Sequence, residues 1–188
     1  MIYKHMCCGY KNSGKLTFKE DERVITASAA NFEDMTFLYF ESKDRNVTAD
    51  DVVTGDLKKF PDGSNWFEMN EIFHYFTPAD DSEWERKIKN KNARFRINML
   101  EREKVSSYIY YHFDHQCTNQ FDVDRFFSIF IYGNYIVMYG EEPMEKVTWE
   151  DIKGRRYEPE NPLWGELMDE HFKAWPDNEK KWVSIENE

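Results

Sequence analysis

Two β-prone segments joined by Gly133-Asn134 constrain the fold of this chain more than any other feature of its sequence. Residues 125–132 and 135–139 are rich in aromatic and β-branched side chains, which favour strands. A Gly-Asn pair between two such segments is typical of a tight two-residue turn. The sequence therefore predicts a β-hairpin at this point, and short hairpin connections favour an antiparallel sheet.

The aromatic content indicates that the chain builds a hydrophobic core. It has six Trp, 11 Tyr and 15 Phe residues, and each buried aromatic side chain removes roughly 150–250 Å² from water. Disordered chains are poor in aromatic residues, so a mean hydropathy of −0.83 does not indicate disorder here. We expect one globular domain over residues 1–188, with a short acidic C-terminal tail after about residue 185.

Hydrophobic patterns predict an α+β fold, a mostly antiparallel, aromatic-rich sheet with two helices. Ser82 and Glu85 have capping-box spacing, and apolar residues recur after them at helical spacing. This predicts a long amphipathic helix over about residues 82–102, packed on the sheet. Asn161-Pro162 predicts the start of a C-terminal helix over about residues 161–175. Further strands are predicted over residues 2–8, 23–29, 35–42, 66–76, 105–115 and 182–185.

Charge and cysteine content limit the partners and the compartment. The net charge of −11 argues against nucleic acid, because phosphates require an excess of Lys and Arg. The sequence contains no run of about 18 apolar residues, which a membrane-spanning helix needs, and no signal-peptide pattern. Its cysteines, Cys7, Cys8 and Cys117, make a poor disulfide framework and favour a reducing compartment. We therefore predict a cytoplasmic protein that binds neither nucleic acid nor membrane.

Motifs for cofactors and metals are missing from the sequence. Phosphate-binding loops, dinucleotide-binding glycine patterns, nucleophile elbows, H-E-x-x-H and EF-hand loops do not occur, so no cofactor is predicted. His112, His115 and Cys117 are metal-binding residue types, but they lack the paired spacing of zinc sites. We therefore predict no metal site.

The segment 105–115, interpreted as a strand, holds the residues most suited to chemistry. Alternate residues of a strand share one face, and on this face they are Tyr108, Tyr110, His112 and Asp114. A carboxylate beside an imidazole is typical of general acid–base catalysis, so His112 and Asp114 are the candidate catalytic residues. Tyr108 and Tyr110 are candidate ligand-binding residues, because they add hydroxyl groups and stacking surface.

The strand predicted over residues 66–76 would extend this face. Glu68 and His74 become ligand-binding candidates if that strand lies beside strand 105–115. The alternative interpretation is an ordinary half-exposed face whose polar groups are solvated, and it requires no perturbed environment.

Two functions remain open at this point. The favoured one is a non-enzymatic ligand-binding or protein-binding protein that uses an aromatic sheet face, because the chain has many aromatic residues and no catalytic signature. The alternative is a small cofactor-independent acid–base enzyme, of the isomerase or epimerase type, that acts on a polar metabolite. The expected partner is accordingly a small polar ligand or another protein.

Overall fold

The computed structural model shows an antiparallel sheet with short helices, and it describes residues 1–11, 14–74, 81–115, 123–148, 151 and 162–188. The strands are β1 (Tyr3–Tyr10), β2 (Thr17–Phe18), β3 (Val24–Phe32), β4 (Met35–Ser42), β5 (Val53–Thr54), β6 (Phe67–His74), β7 (Asn92–Met99), β8 (Ser128–Tyr132), β9 (Tyr135–Glu142), β10 (Val183–Ser184) and β11 (Glu186–Asn187). The helices are α1 (Ala49–Val52), α2 (Val105–His115) and α3 (Trp164–Asp169), with 3₁₀ turns at Asp81–Trp84 and Arg102–Lys104.

The main sheet nearly closes on itself as an antiparallel barrel. Within the described ranges, nine strands pair in the order β10-β7-β9-β8-β6-β1-β4-β3-β11. β10 pairs with β7 at one edge and β11 pairs with β3 at the other, although only Ile185 separates β10 from β11 in the chain. The N–H of Ile185 donates to the carbonyl of Phe95 at 3.1 Å. The last residues, predicted as an acidic tail, therefore join the two edges of the sheet and enclose a lumen.

The predicted α+β fold, with a long helix packed on a sheet, is wrong. Residues 92–99 lie inside the predicted helix 82–102 but form β7, which pairs with β9 along its whole length. Phe95 and Ile97 are each 1% exposed, and arginines alternate with them, which is the period of a strand. The capping signal at Ser82 starts only a 3₁₀ turn. The segment has apolar residues at helical spacing, but burial of alternate side chains in the lumen stabilises it as a strand.

Segment 105–115 forms helix α2, where the sequence predicts a strand. Tyr108 is 1% exposed and His112 is 5% exposed, because residues four apart share one face of a helix. Aromatic content favours strands, but packing against the sheet overrides that preference here. The predicted C-terminal helix is shorter than expected, since α3 covers Trp164–Asp169 of the range 161–175, and residue 161 lies outside the described residues.

The predicted hairpin at Gly133-Asn134 and the strand predicted over residues 35–42 are confirmed. β8 and β9 form the expected hairpin, with Tyr132 paired to Tyr135 and Gly133 at a φ of 60°, which glycine adopts without a Cβ clash. β4 covers the predicted strand 35–42. The sheet is antiparallel and rich in contacts between aromatic rings.

Apolar side chains also pack on the outside of the sheet. One outer cluster includes Leu38, Phe40 and Val52, next to α1, and another includes Tyr108 and Phe172, next to α2 and α3. In the part of the chain that the structure describes, no helix has the length and apolar character needed to cross a membrane. With the outer faces partly covered, the two ends of the lumen are where a site inside the sheet can open.

Candidate functional site

The inward-facing side chains change character along the lumen. Every second residue of a strand faces the same side, and on β4 Phe37 and Tyr39 belong to the inner core while Glu41 follows them. Tyr139 and Glu141 repeat this order on β9, and the rings of Tyr39 and Tyr139 stack at 3.5 Å. One end of the lumen is therefore aromatic, and the other end is charged.

A cavity of about 350 Å³ lies at the aromatic end, and we call it the aromatic pocket. Phe, Tyr and Met side chains make up most of its lining. Phe37, Met69 and Ile97 form a floor that belongs to the buried core. The lining comes from strands on several sides of the sheet, so the pocket exists because the sheet curves round to close.

Contacts between aromatic rings hold the walls of the aromatic pocket in place. The rings of Phe67 and Tyr132 stack with their centroids 5.1 Å apart and an interplanar angle of 18°. Phe60, from the loop between β5 and β6, packs on Phe67 at 4.1 Å and on Tyr10 at 4.5 Å. The N–H of Phe60 donates to the carbonyl of Ser64 at 2.9 Å and closes that loop. The pocket is therefore preformed, and a ligand would order few side chains on binding.

Glu33 and Asp34 form the turn between β3 and β4 and lie at the rim of the aromatic pocket. Phe32 and Met35 pair across this turn, and Glu33 has a left-handed φ of 53°. The N–H of Lys11 donates to the carbonyl of Asp34 at 2.7 Å. Both acidic side chains are exposed, and among the described residues that line the pocket they are the only charged ones. The rim is therefore negative.

Cys8 contributes a thiol to the lining of the aromatic pocket. It is 2% exposed, and burial raises the pKa of its thiol to about 11. The thiol therefore stays protonated at neutral pH, whereas nucleophilic attack and metal binding require the thiolate. The inner wall of the pocket offers contact surface rather than reactive groups.

Arg86 joins two buried carboxylates at the charged end of the lumen. Its guanidinium donates to Glu41 at 2.6 Å and to Glu141 at 2.5 Å, and these glutamates are 0% and 3% exposed. The hydroxyls of Tyr39 and Tyr139 donate to Glu41 at 2.7 Å and to Glu141 at 3.0 Å, respectively. Burial by itself lowers the pKa of Arg86, but hydrogen bonds to the two glutamates outweigh this effect and raise the pKa.

A second ion pair, between Lys4 and Glu71, lies at the same end. Its position follows from the strand register, in which Lys4 on β1 is opposite Glu41 on β4. The Nζ of Lys4 is 2.6 Å from the carboxylate of Glu71 and donates to the hydroxyl oxygen of Ser128 at 2.8 Å. Burial by itself raises the pKa of Glu71, but the hydrogen bond with His74 and the charge of Lys4 outweigh it and lower the pKa to about 2. Glu71 is therefore ionised across the physiological range.

A second cavity, of about 370 Å³, opens beside Arg86 and Lys91 at the charged end. The Nζ of Lys91 lies 3.4 Å from a carboxylate oxygen of Glu141 and 3.4 Å from one of Glu145. The two cations already contact carboxylates of the protein, so an anionic ligand would have to compete with them. We therefore take the aromatic pocket as the candidate functional site.

The residues predicted as a catalytic site are divided between two sides of α2. His112 is buried, and its Nδ1 lies 3.0 Å from the carbonyl oxygen of Tyr108, which is also buried. Asp114 is exposed, and Tyr110 is 63% exposed. Residues two apart on a helix lie about 200° apart around its axis, so the structure does not bring His112 and Asp114 together. Burial lowers the pKa of His112 to about 4, which leaves its imidazole neutral at pH 7.

Glu68 and His74, the other predicted ligand-binding residues, lie on β6. The Nδ1 of His74 is 3.5 Å from a carboxylate oxygen of Glu71. Glu68 Oε1 lies 2.8 Å from Nδ1 of His5, whose Nε2 lies 3.3 Å from Oγ of Ser42. A carboxylate, imidazole and hydroxyl in this order can activate a serine. However, Ser42 is 0% exposed and its hydroxyl donates to a backbone carbonyl at 2.7 Å, so it is not accessible to a substrate.

The described part of segment 66–76, which excludes residues 75 and 76, does meet segment 105–115, but as a strand and a helix rather than as two strands. The rings of Phe73 and His112 contact each other with their centroids 5.2 Å apart. This contact lies on the outer side of the sheet, in the cluster next to α2. The predicted shared polar face therefore does not form.

The sequence pattern does not predict that the residues of the aromatic pocket form a site. The local signal that exists is weak: Tyr132 and Tyr135 flank the predicted hairpin turn and are 43% and 44% exposed. Glu33 and Asp34 lie between two predicted strands, where acidic turn residues are common. Only the closure of the sheet brings these two turns to the same pocket.

The described residues contain no group of three or more His, Cys, Asp or Glu side chains arranged to hold a metal ion. Cys117, one of the residues considered for a metal, lies outside the described ranges. Comparisons of the chain with protein-family models, curated proteins and solved structures find no match. The function is therefore argued from the geometry of the aromatic pocket itself.

Proposed function

We propose that this protein is a non-enzymatic binding protein that holds a small, largely apolar ligand in the aromatic pocket. The observation that carries the proposal is a cavity of about 350 Å³, walled by aromatic rings at one end of a nearly closed sheet. Small-molecule sites are typically concave and mostly apolar, with volumes of about 300–1,000 Å³, and the mouths of barrels are common places for them.

The physical basis for affinity is the apolar surface that a ligand would bury. Burial contributes about 25 cal/mol for each Å² of apolar area removed from water. Because Phe67 already contacts both Phe60 and Tyr132, little of this gain is lost to ordering the walls. The sequence predicts a small polar ligand or a protein partner, and we propose instead a ligand with an apolar body, because Phe, Tyr and Met make up most of the lining.

The proposal of binding without chemistry follows from the positions of the ionisable groups. The enzyme alternative requires His112 and Asp114 to act together, but they lie on different sides of α2. The thiol of Cys8 is protonated at neutral pH. Cys7 and Cys8 are both free thiols, which supports the further proposal of a reducing, cytoplasmic compartment.

The test is a titration with the neutral fluorescent probe N-phenyl-1-naphthylamine. The wild-type protein is expected to bind one probe per chain, with a saturable increase in fluorescence. Met35→Trp replaces a thioether side chain with a bulkier indole ring at the half-buried rim of the pocket. The added bulk is expected to weaken binding of the probe by about tenfold or more.

The matched control is Ile25→Trp, on the same sheet but outside the pocket lining. Ile25 is 36% exposed, so the added ring should leave both the fold and the affinity for the probe unchanged. Circular dichroism checks that both variants are folded. Equal affinities for the two folded variants, or non-saturable binding by the wild type, would contradict the proposal.

A further inference from the structure

We infer that the ligand of the aromatic pocket carries a protonated amine, held at the rim by Glu33 and Asp34 while its apolar body fills the lumen. This inference rests on the proposed function, because it assigns a ligand class to the same pocket. It goes further in specifying the charge of the ligand and the point at which that charge is bound.

The charge distribution of the pocket supports a cationic head group. Among the described lining residues, Glu33 and Asp34 are the only charged ones, and both belong to one turn. In the described part of the chain neither carboxylate takes part in an ion pair. The charged end of the lumen differs in this respect, since Glu41 and Glu141 already contact Arg86 or Lys91.

The walls next to the rim also favour a cation over an anion. The face of an aromatic ring is electronegative and attracts ammonium groups within about 6 Å of its centroid. The chain itself provides an example at this pocket, because the Nζ of Lys58 lies 5.5 Å from the centroid of the Tyr10 ring. An amine that enters the pocket would combine such ring contacts with the two carboxylates, whereas a carboxylate ligand would be repelled by both.

The experiment compares three ligands with the same aromatic body: 1-naphthylmethylamine, 1-naphthylmethanol and 1-naphthoate. Isothermal titration calorimetry at pH 7 and low salt is expected to show the amine binding about threefold to tenfold more tightly than the alcohol, with the carboxylate weakest. Because the rim is exposed, this preference should decrease at high salt.

Variants then test whether the rim is responsible. The double substitution Glu33→Gln and Asp34→Asn should remove the preference for the amine over the alcohol. Glu22→Gln, an exposed acidic residue outside the lining, is the matched control and should keep the preference.

The possible outcomes separate the two proposals. If none of the three ligands binds, the proposed function fails. If all three bind equally, or the carboxylate binds most tightly, the pocket binds apolar compounds but the amine class is wrong. If the preference for the amine survives the double substitution, the assignment of the head group to Glu33 and Asp34 is wrong.

Discussion

The two ends of the lumen share strands, but their inward-facing side chains differ in what they contact. At one end they bind other groups of the protein, and at the other end they surround a cavity. At the charged end, Glu41 and Glu141 each accept hydrogen bonds from Arg86 and from a tyrosine. At the aromatic end, ring and thioether groups leave a cavity of about 350 Å³. An unpaired buried carboxylate costs several kcal/mol, whereas an apolar cavity forfeits only packing contacts. The protein must therefore supply partners for the carboxylates at its charged end, whereas a ligand can fill the cavity at the aromatic end.

Residues 81–91, which precede β7, complete the charged end. The Nε1 of Trp84 donates to Glu41 at 2.6 Å, and its ring meets Phe126 edge-on with the centroids 5.0 Å apart. Arg86 follows two residues later and lies over the same Phe126 ring at 4.1 Å. These contacts place a cation and apolar rings over carboxylates that would otherwise face the lumen unpaired.

The largest expected effect tests whether the charged end depends on its internal cation. Arg86→Met leaves two buried carboxylates without their main partner, so the free energy of unfolding should fall by about 3–5 kcal/mol. Urea denaturation measures this change. Arg94→Met is the matched control, because Arg94 contacts Glu142, whose side chain is 59% exposed, and its loss should cost about 1 kcal/mol or less. Similar losses in the two variants would show that the buried carboxylates do not depend on Arg86.

Acid titration should reveal how much Glu71 contributes to stability at the charged end. The pKa of Glu71 is lowered to about 2 in the folded protein, so the unfolded chain takes up this proton first as the pH falls. The stability that Glu71 contributes is complete above its ordinary pKa of about 4.5 and is lost towards pH 2. The free energy of unfolding should therefore decrease by up to about 3 kcal/mol over this window.

Glu71→Gln provides the check on this pH dependence, with Glu22→Gln as the control. Denaturation curves at several pH values should show a smaller slope between about pH 4.5 and 2 for Glu71→Gln than for the wild type. The control should keep the wild-type slope. An unchanged slope in Glu71→Gln would show that other carboxylates dominate the acid response.

The smallest expected effect concerns the influence of Lys58 on amine binding at the aromatic end. Lys58→Gln removes the ammonium that lies over the Tyr10 ring, so 1-naphthylmethylamine should bind about twofold more tightly, because a like charge is lost. Lys59, its exposed neighbour, provides the control Lys59→Gln, which should leave the affinity for the amine unchanged. Calorimetry measures both affinities, and weaker amine binding in Lys58→Gln would contradict a repulsive role for Lys58.

Local chemistry made part of the fold predictable. Gly133 adopts a positive φ that its sequence position between two strand-forming runs already suggests. The strand predicted over residues 35–42, from apolar residues on both of its faces, coincides with β4. The patterns of segments 82–102 and 105–115 predict the wrong type of structure. Each contains apolar residues at spacings compatible with both a helix and a strand, so the packing partner decides between them.

The candidate site depended still more on long-range structure. His112 and Asp114 were combined because alternate strand residues share a face, and the helical conformation of α2 removes that relation. Glu33 and Tyr132 lie about 100 residues apart in the sequence and line one pocket. No local periodicity could indicate that they meet.

The sequence by itself determined an aromatic, antiparallel sheet with a tight hairpin at Gly133-Asn134, because turn conformation and side-chain alternation depend on neighbouring residues. Only the tertiary structure decided that β10 and β11 would pair with opposite edges of that sheet. This closure separates a charged end from an aromatic end and creates the pocket. The physical reason is that strand pairing and burial depend on contacts between residues far apart in the chain, and these contacts are not encoded in local patterns.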